Sequence, residues 1–137
     1  MAFRVRRVDY FYTTVEDSPG VGYEVLSGLA ELNVNLVAIT AVPFGPARTQ
    51  LTVFPDDTAK MQHAAGQANI RLDGPHPALV VQGDDEVGAL AEIHEKLLDA
   101  NVHVFASTGV ADGRGGYGYI IYVRPEEYER AAGALDV

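Results

Sequence analysis

The stretch from Asp17 to Gly45 recurs 68 residues later, and this duplication restricts the chain to two copies of one supersecondary unit. Asp17, Gly20, Glu24 and Leu29 fall on Asp85, Gly88, Glu92 and Leu97. Asn33, Val34 and Ala38 fall on Asn101, Val102 and Ala106, and Thr40, Val42 and Gly45 on Thr108, Val110 and Gly113. That is ten identities in 29 ungapped positions, where ordinary composition gives roughly two by chance. A chain of 137 residues accommodates one compact domain or two small fused ones.

The pattern inside one copy identifies the unit. Tyr10 to Val15 is aromatic and β-branched, which predicts a strand. Asp17-Ser18-Pro19-Gly20 follows, with Asp17 or Ser18 expected as helix cap and Pro19 as the first helical residue. Val25, Leu26, Leu29, Ala30 and Leu32 then recur at helical spacing. Leu36 to Val42 and Thr49 to Phe54 read as a hairpin around Pro43-Phe44-Gly45-Pro46. Asp56-Asp57 caps a second helix over 58–68, and Ile70 to Leu72 reads as a short fourth strand before an Asp73-Gly74-Pro75 turn.

The second copy repeats this order. Ala78 to Gln82 is a strand, Asp85 starts a helix, and Val102 to Val110 with Tyr117 to Val123 forms a hairpin around Gly113-Arg114-Gly115-Gly116. A last helix begins at Pro125. The order βαββαβ with right-handed crossovers puts both helices on one face of an antiparallel sheet. The expected fold is therefore α+β, two ferredoxin-like units in tandem, over 1–74 and 75–137. The second copy ends without a fourth strand of its own, and Phe3-Arg4-Val5 is the expected donor of one.

Composition narrows the function. The net charge of −9 repels phosphate backbones, so no nucleic-acid partner is expected. The absence of cysteine excludes disulfides, thiolate metal sites and Cys nucleophiles. No apolar run approaches the ~20 residues that span a bilayer. Basic residues in Met1 to Arg7 precede no apolar segment, so neither a membrane partner nor a signal peptide is expected, and the cytoplasm is the expected compartment.

The run from Val15 to Leu36, with Asp17-Ser18-Pro19-Gly20 and Asn33-Val34-Asn35, resembles the ACT-domain signature of strand, D-x-P-G loop, amphipathic helix and turn into an "N-I"-type strand. Asp85-Glu86-Val87-Gly88 through Asn101-Val102-His103-Val104 is a second copy that keeps the Gly and replaces Pro with Val87. The resemblance implies a stand-alone, non-catalytic regulatory protein, an allosteric sensor that binds an amino acid where ACT units meet. It also implies a homodimer and an enzyme of amino-acid metabolism as a partner in trans. In family members that bind serine, the contacts come from the loop before the first helix and, across the interface, from the start of the second strand. By motif these are Val15, Asp17 and Asn35 here. Val15 and Asp17 stand where those members carry His and Asn, which argues against serine.

The chemistry of the loop supports such a site. Free N–H groups of Gly20, Val21 and Gly22 at a helix start favour an anion such as an α-carboxylate. Asp17 and the Asn35 amide suit an α-ammonium. Together with Ser18 and Pro19 these residues form the first candidate site, and Asp85, Gly88 and His103 are the equivalents in the second copy. Against ligand binding stand plain capping for Asp17 and Ser18, a tight turn for Gly20, and surface strand positions for Asn35 and His103. Asn33 and Asn101 are expected to end their helices in the left-handed conformation.

No cofactor or metal is implied, because His63, His76, His94 and His103 lack ligand spacing. The glycine-rich Gly113 to Gly116 joins two strands rather than opening a helix, so it is a hairpin turn and not a phosphate loop. Tyr117 and Tyr119 alternate with Gly118 and Ile120, which places a tyrosine face at a dimer interface. No nucleophile–base motif is present. The alternative to a ligand sensor is a dimeric protein-interaction adaptor that has lost its ligand.

Overall fold

Duplicated sequence folds into duplicated elements. The computed structural model describes residues 3–137. In chain order the elements are β1 (Phe3–Glu16), α1 (Val21–Glu31), β2 (Leu36–Pro43), β3 (Arg48–Pro55), α2 (Thr58–Ala68) and β4 (Asp73–Asp84). They continue with α3 (Ala89–Asp99), β5 (Val104–Ala111), β6 (Gly116–Val123), a 3-10 turn (Pro125–Glu127) and α4 (Tyr128–Ala134). α1, β2 and β3 have the same bounds as α3, β5 and β6 shifted by 68 residues. The fold is α+β, a twice-repeated βαββαβ in which the strands pair antiparallel.

The chain divides into two units, one of Asp9–His76 and one of residues up to Val8 with Pro77–Val137. In the first, the strand order is β2-β3-β1-β4. Phe11 pairs with Val53, and both point at the face on which α1 and α2 lie. Phe11, Val53, Leu29, Val34, Met61 and Ala64 make its core. Alternation along the strands and 3.6-residue spacing along the helices bring these side chains to one layer. The Asp57 carboxylate accepts the Lys60 N–H at 3.0 Å, which caps α2.

In the second unit, the strand order is β1-β4-β6-β5. Leu79 and Val81 from β4, Tyr119, Ile121 and Val123 from β6, Ile93 and Leu97 from α3, and Ala131, Ala132 and Leu135 at the chain end form its core. Phe3 and Val5 at the start of β1 pack against that core. Arg7 fixes the same segment, donating to Glu129 at 2.8 and 3.0 Å and to the Val137 carbonyl at 3.1 Å.

Several local expectations need correction. α1 is capped not by Asp17 or Ser18 but by Gly20, at φ 89° and with no side-chain bond. α3 likewise starts after Gly88, at φ 86°, and not at Asp85. A left-handed residue turns the chain into each helix, and glycine adopts that conformation without a Cβ clash. Asp73-Gly74-Pro75 is not a turn between units but the beginning of β4. Gly74 (φ 147°) lies so close to β1 that a Cβ there would sit 2.8 Å from the Tyr10 carbonyl oxygen. Tyr119 faces the helices and is buried rather than sitting at an interface, because odd positions of β6 share the face of Leu79 and Val81. Asn33 and Asn101 do take the left-handed conformation, at φ 62° and 59°.

Candidate functional site

Each unit ends its first strand in a loop that touches its own hairpin. In the first, the Asp17 N–H donates to the Ala47 carbonyl at 2.9 Å, and Glu16 pairs with Arg48. Glu16, Asp17, Ser18, Pro46, Ala47 and Arg48 line a hollow of about 350 Å³ there. In the second, the Asp85 N–H donates to the Gly115 carbonyl at 2.9 Å, and Asp84 pairs with Gly116.

The hollow beside this second loop is larger and reaches further. It measures about 470 Å³ and runs from Asp85 and Glu86 past the first turn of α3 to β5 and β6. Gly88, Ala89 and Ala91 bound it on the helix side, Gly109, Val110 and Ala111 on β5, and Tyr117 and Gly118 on β6. Burial raises the Tyr117 phenol above its ordinary value, and the carboxylates of Glu92 and Asp84 add to the rise. Tyr117 is therefore a neutral hydrogen-bonding wall.

The sequence-predicted residues divide between the two ends of each unit. Asp17 and Ser18 line the first hollow, and Asp85 and Gly88 the second. Gly20 carries the helix start. The Val21 N–H, expected to be free, points to the Ser18 carbonyl at 3.4 Å. Asn35 lies away from Asp17: its carbonyl accepts the Asp56 N–H at 3.0 Å, and the neighbouring Leu36 pairs with Pro55, whereas Glu16 pairs with Arg48. Arg48 and Pro55 are the two ends of β3, about 24 Å apart at strand rise. Within one unit, then, Asp17 and Asn35 cannot hold the same small molecule. The same separation holds for His103, whose N–H donates to the Glu127 carboxylate at 3.0 Å and which lines a different hollow with His94 and Leu98.

Sequence reasoning missed a polar chain that runs from α3 across β6 to β5 in the second unit. His94 Nε2 lies 2.7 Å from the Tyr119 hydroxyl, which is 2.9 Å from Ser107 Oγ. In the first copy the matching residues are Leu26, Leu51 and Ile39. That triple exchange of apolar for polar was readable from the duplication. The missed lining residues Leu90, Val110 and Tyr117 carry no motif.

Among the described residues no helix is long and apolar enough to cross a membrane. No family model and no curated protein matches the sequence. Solved structures do match. Protein BT0572 from Bacteroides thetaiotaomicron superimposes with a TM-score of 0.80 at 19% identity, over 96% of this chain and 88% of that one. The ligand-free regulatory subunit of aspartate kinase from Thermus thermophilus gives 0.64 at 16% identity, over 99% of this chain and 95% of that one. The corresponding subunit from Thermus flavus gives 0.63 at 16% identity with the same coverage. Read with the duplicated βαββαβ order and the glycine-initiated helices, these matches give the chain the tandem ACT fold of the aspartate kinase regulatory subunits.

Proposed function

We propose that this protein is a non-catalytic regulatory module that binds a small ligand, an amino acid, and acts on an enzyme of amino-acid metabolism in trans. The observation that carries this reading is the hollow of about 470 Å³ where loop, helix start and hairpin meet in the second unit. Its volume lies in the ordinary range of small-molecule sites. Carboxylates at Asp85 and Glu86 suit an ammonium, and the first turn of α3 suits a carboxylate. The fold of regulatory subunits supports the same reading by analogy.

A homodimer accompanies it. β2 and β5 are the outer strands of their units and carry no charged residue. Ile39 and Val42 on one and Phe105 and Val110 on the other are exposed, as is Phe44 just after β2. Apolar, uncharged strand edges call for a cover. The same exposed residues favour a second reading, an interaction adaptor without ligand, and one experiment separates the two. Thermal melting is followed with each of the twenty amino acids at millimolar concentration, on wild type, Asp17→Ala and Asp85→Ala. At 100-fold its dissociation constant a ligand adds about 2.7 kcal/mol, a rise of several degrees. The sensor reading expects such a rise with at least one amino acid, reduced in an Asp variant. Melting curves that no amino acid moves would leave the adaptor.

A further inference from the structure

The two units differ in bulk around the helix start. On the second unit's hollow stand Ala89, Ala91, Gly109 and Ala111. The matching positions of the first copy hold Val21, Tyr23, Ala41 and Pro43, each larger than its counterpart, while Ser18, Gly22 and Thr49 there are smaller than Glu86, Leu90 and Tyr117. From this difference we infer that the chain takes one ligand, in the second unit only, and that the ligand is an amino acid with an apolar side chain. The inference rests on the small-ligand reading above and deepens it.

Gly109 explains why the space stays open on the sheet side. It pairs with Tyr119 across the hairpin, and a Cβ on Gly109 would lie 2.8 Å from the Tyr119 ring. The Tyr119 hydroxyl donates to Ser107 Oγ and is hydrogen-bonded to His94 Nε2, which fixes that ring. These two residues act through Tyr119 and are positioning residues. In the first copy the pair is Ala41 with Leu51, and nothing polar holds the ring position.

The chemistry of the walls selects the ligand. Leu90 and Tyr117 supply apolar surface, and Leu90 is 38% exposed, so a ligand has apolar area to cover. Asp85 and Glu86 are the charged groups on the hollow, both acidic, which suits the ammonium and disfavours an acidic side chain. A ligand with a branched or aromatic body satisfies both ends.

The test uses the twenty free amino acids as probes and calorimetric titration as readout. Wild type is expected to bind an apolar amino acid with one site per chain. Ala91→Tyr, which installs the first copy's residue at an exposed helix position, and Ala111→Leu, at an exposed strand position, narrow the hollow without touching the core. Each is expected to weaken binding at least tenfold while the ligand-free melting temperature holds. Tyr23→Ala, the reverse change in the first unit, is expected to leave the stoichiometry at one. Two sites per chain, a preference for a charged side chain, or undiminished binding in both narrowed variants would overturn the inference and leave the regulatory reading standing. Absence of binding by any amino acid would instead overturn the reading on which it rests.

Discussion

The first unit is continuous in sequence, Asp9–His76, whereas the second joins residues up to Val8 to Pro77–Val137. Both share the order strand, helix, strand, strand, helix. The difference lies in the strand that completes each sheet. In the first unit it follows α2 directly and is the beginning of β4. In the second it comes from the opposite end of the chain, the beginning of β1. A duplicated sequence can thus build two like units from unlike connections, because a strand position needs a suitable strand and not a particular neighbour in sequence.

The strongest way to break this comparison is to remove the donated strand. Deleting residues 2–6 takes away the Phe3 and Val5 packing and the backbone pairing of that segment. Two part-buried apolar side chains and several hydrogen bonds together amount to about 3 kcal/mol or more. The loss is expected in the second unit, with faster amide exchange along β6 and α3 than along β3 and α1. Uniform exchange with an unchanged melting temperature would mean that the second unit stands without the strand.

A subtler way is to cut the polar chain found only in the second unit. Tyr119→Phe keeps the ring against Gly109 and deletes the contacts to His94 and Ser107. Because both partners reach water, the expected loss is about 1 kcal/mol, the ordinary net value of such bonds. Leu51 in the first unit has no polar bond to lose, so Leu51→Met is expected to change stability by less than about 1.5 kcal/mol through packing alone. A loss in Tyr119→Phe of the size of a core cavity would show that the ring itself depends on its hydroxyl.

What the sequence disclosed follows the range over which each force acts. Helix and hairpin bounds within the repeat were legible because side-chain periodicity is local: α2 was expected over 58–68 and is Thr58–Ala68. The helix starts were misread because Asp17 and Ser18 offer good capping oxygens, while Gly20 and Gly88 set the chain direction by their backbone. The Asp73-Gly74-Pro75 segment reads as a turn by composition, but Gly74 is there for its close approach to Tyr10 and Phe11. The loops of the candidate sites were legible from the motif. The separation of Asp17 from Asn35 was not, since it depends on the pairing of β3 with both β1 and β2.

The smallest expected effect concerns the sheet face away from the helices. In the first unit Tyr10 and Tyr12 flank His76, with ring centroids 5.3 and 5.5 Å away, and Asp73 Oδ1 lies 2.7 Å from His76 Nε2. The second copy has Ala78 and Val80 at the matching strand positions, buried and without charge. The Tyr12 hydroxyl first, and then the His76 imidazole, hold the Asp73 carboxyl below its ordinary value of 3.8. A folded value below the unfolded one contributes stability above the unfolded value, and that contribution disappears as pH falls through the folded value. The same hydrogen bond raises the Tyr12 phenol above 10.0, so its contribution is present below that pH and fades as pH rises through the folded value. The cluster is exposed, and solvent screening keeps both effects small. Acid titration followed by amide exchange is expected to loosen β1 of the first unit around Tyr12 while the segment around Val80 keeps its protection. Asp73→Asn is expected to flatten the acid limb. If the acid limb is as steep in Asp73→Asn as in wild type, this carboxylate is not what makes the first unit more sensitive to acid than the second.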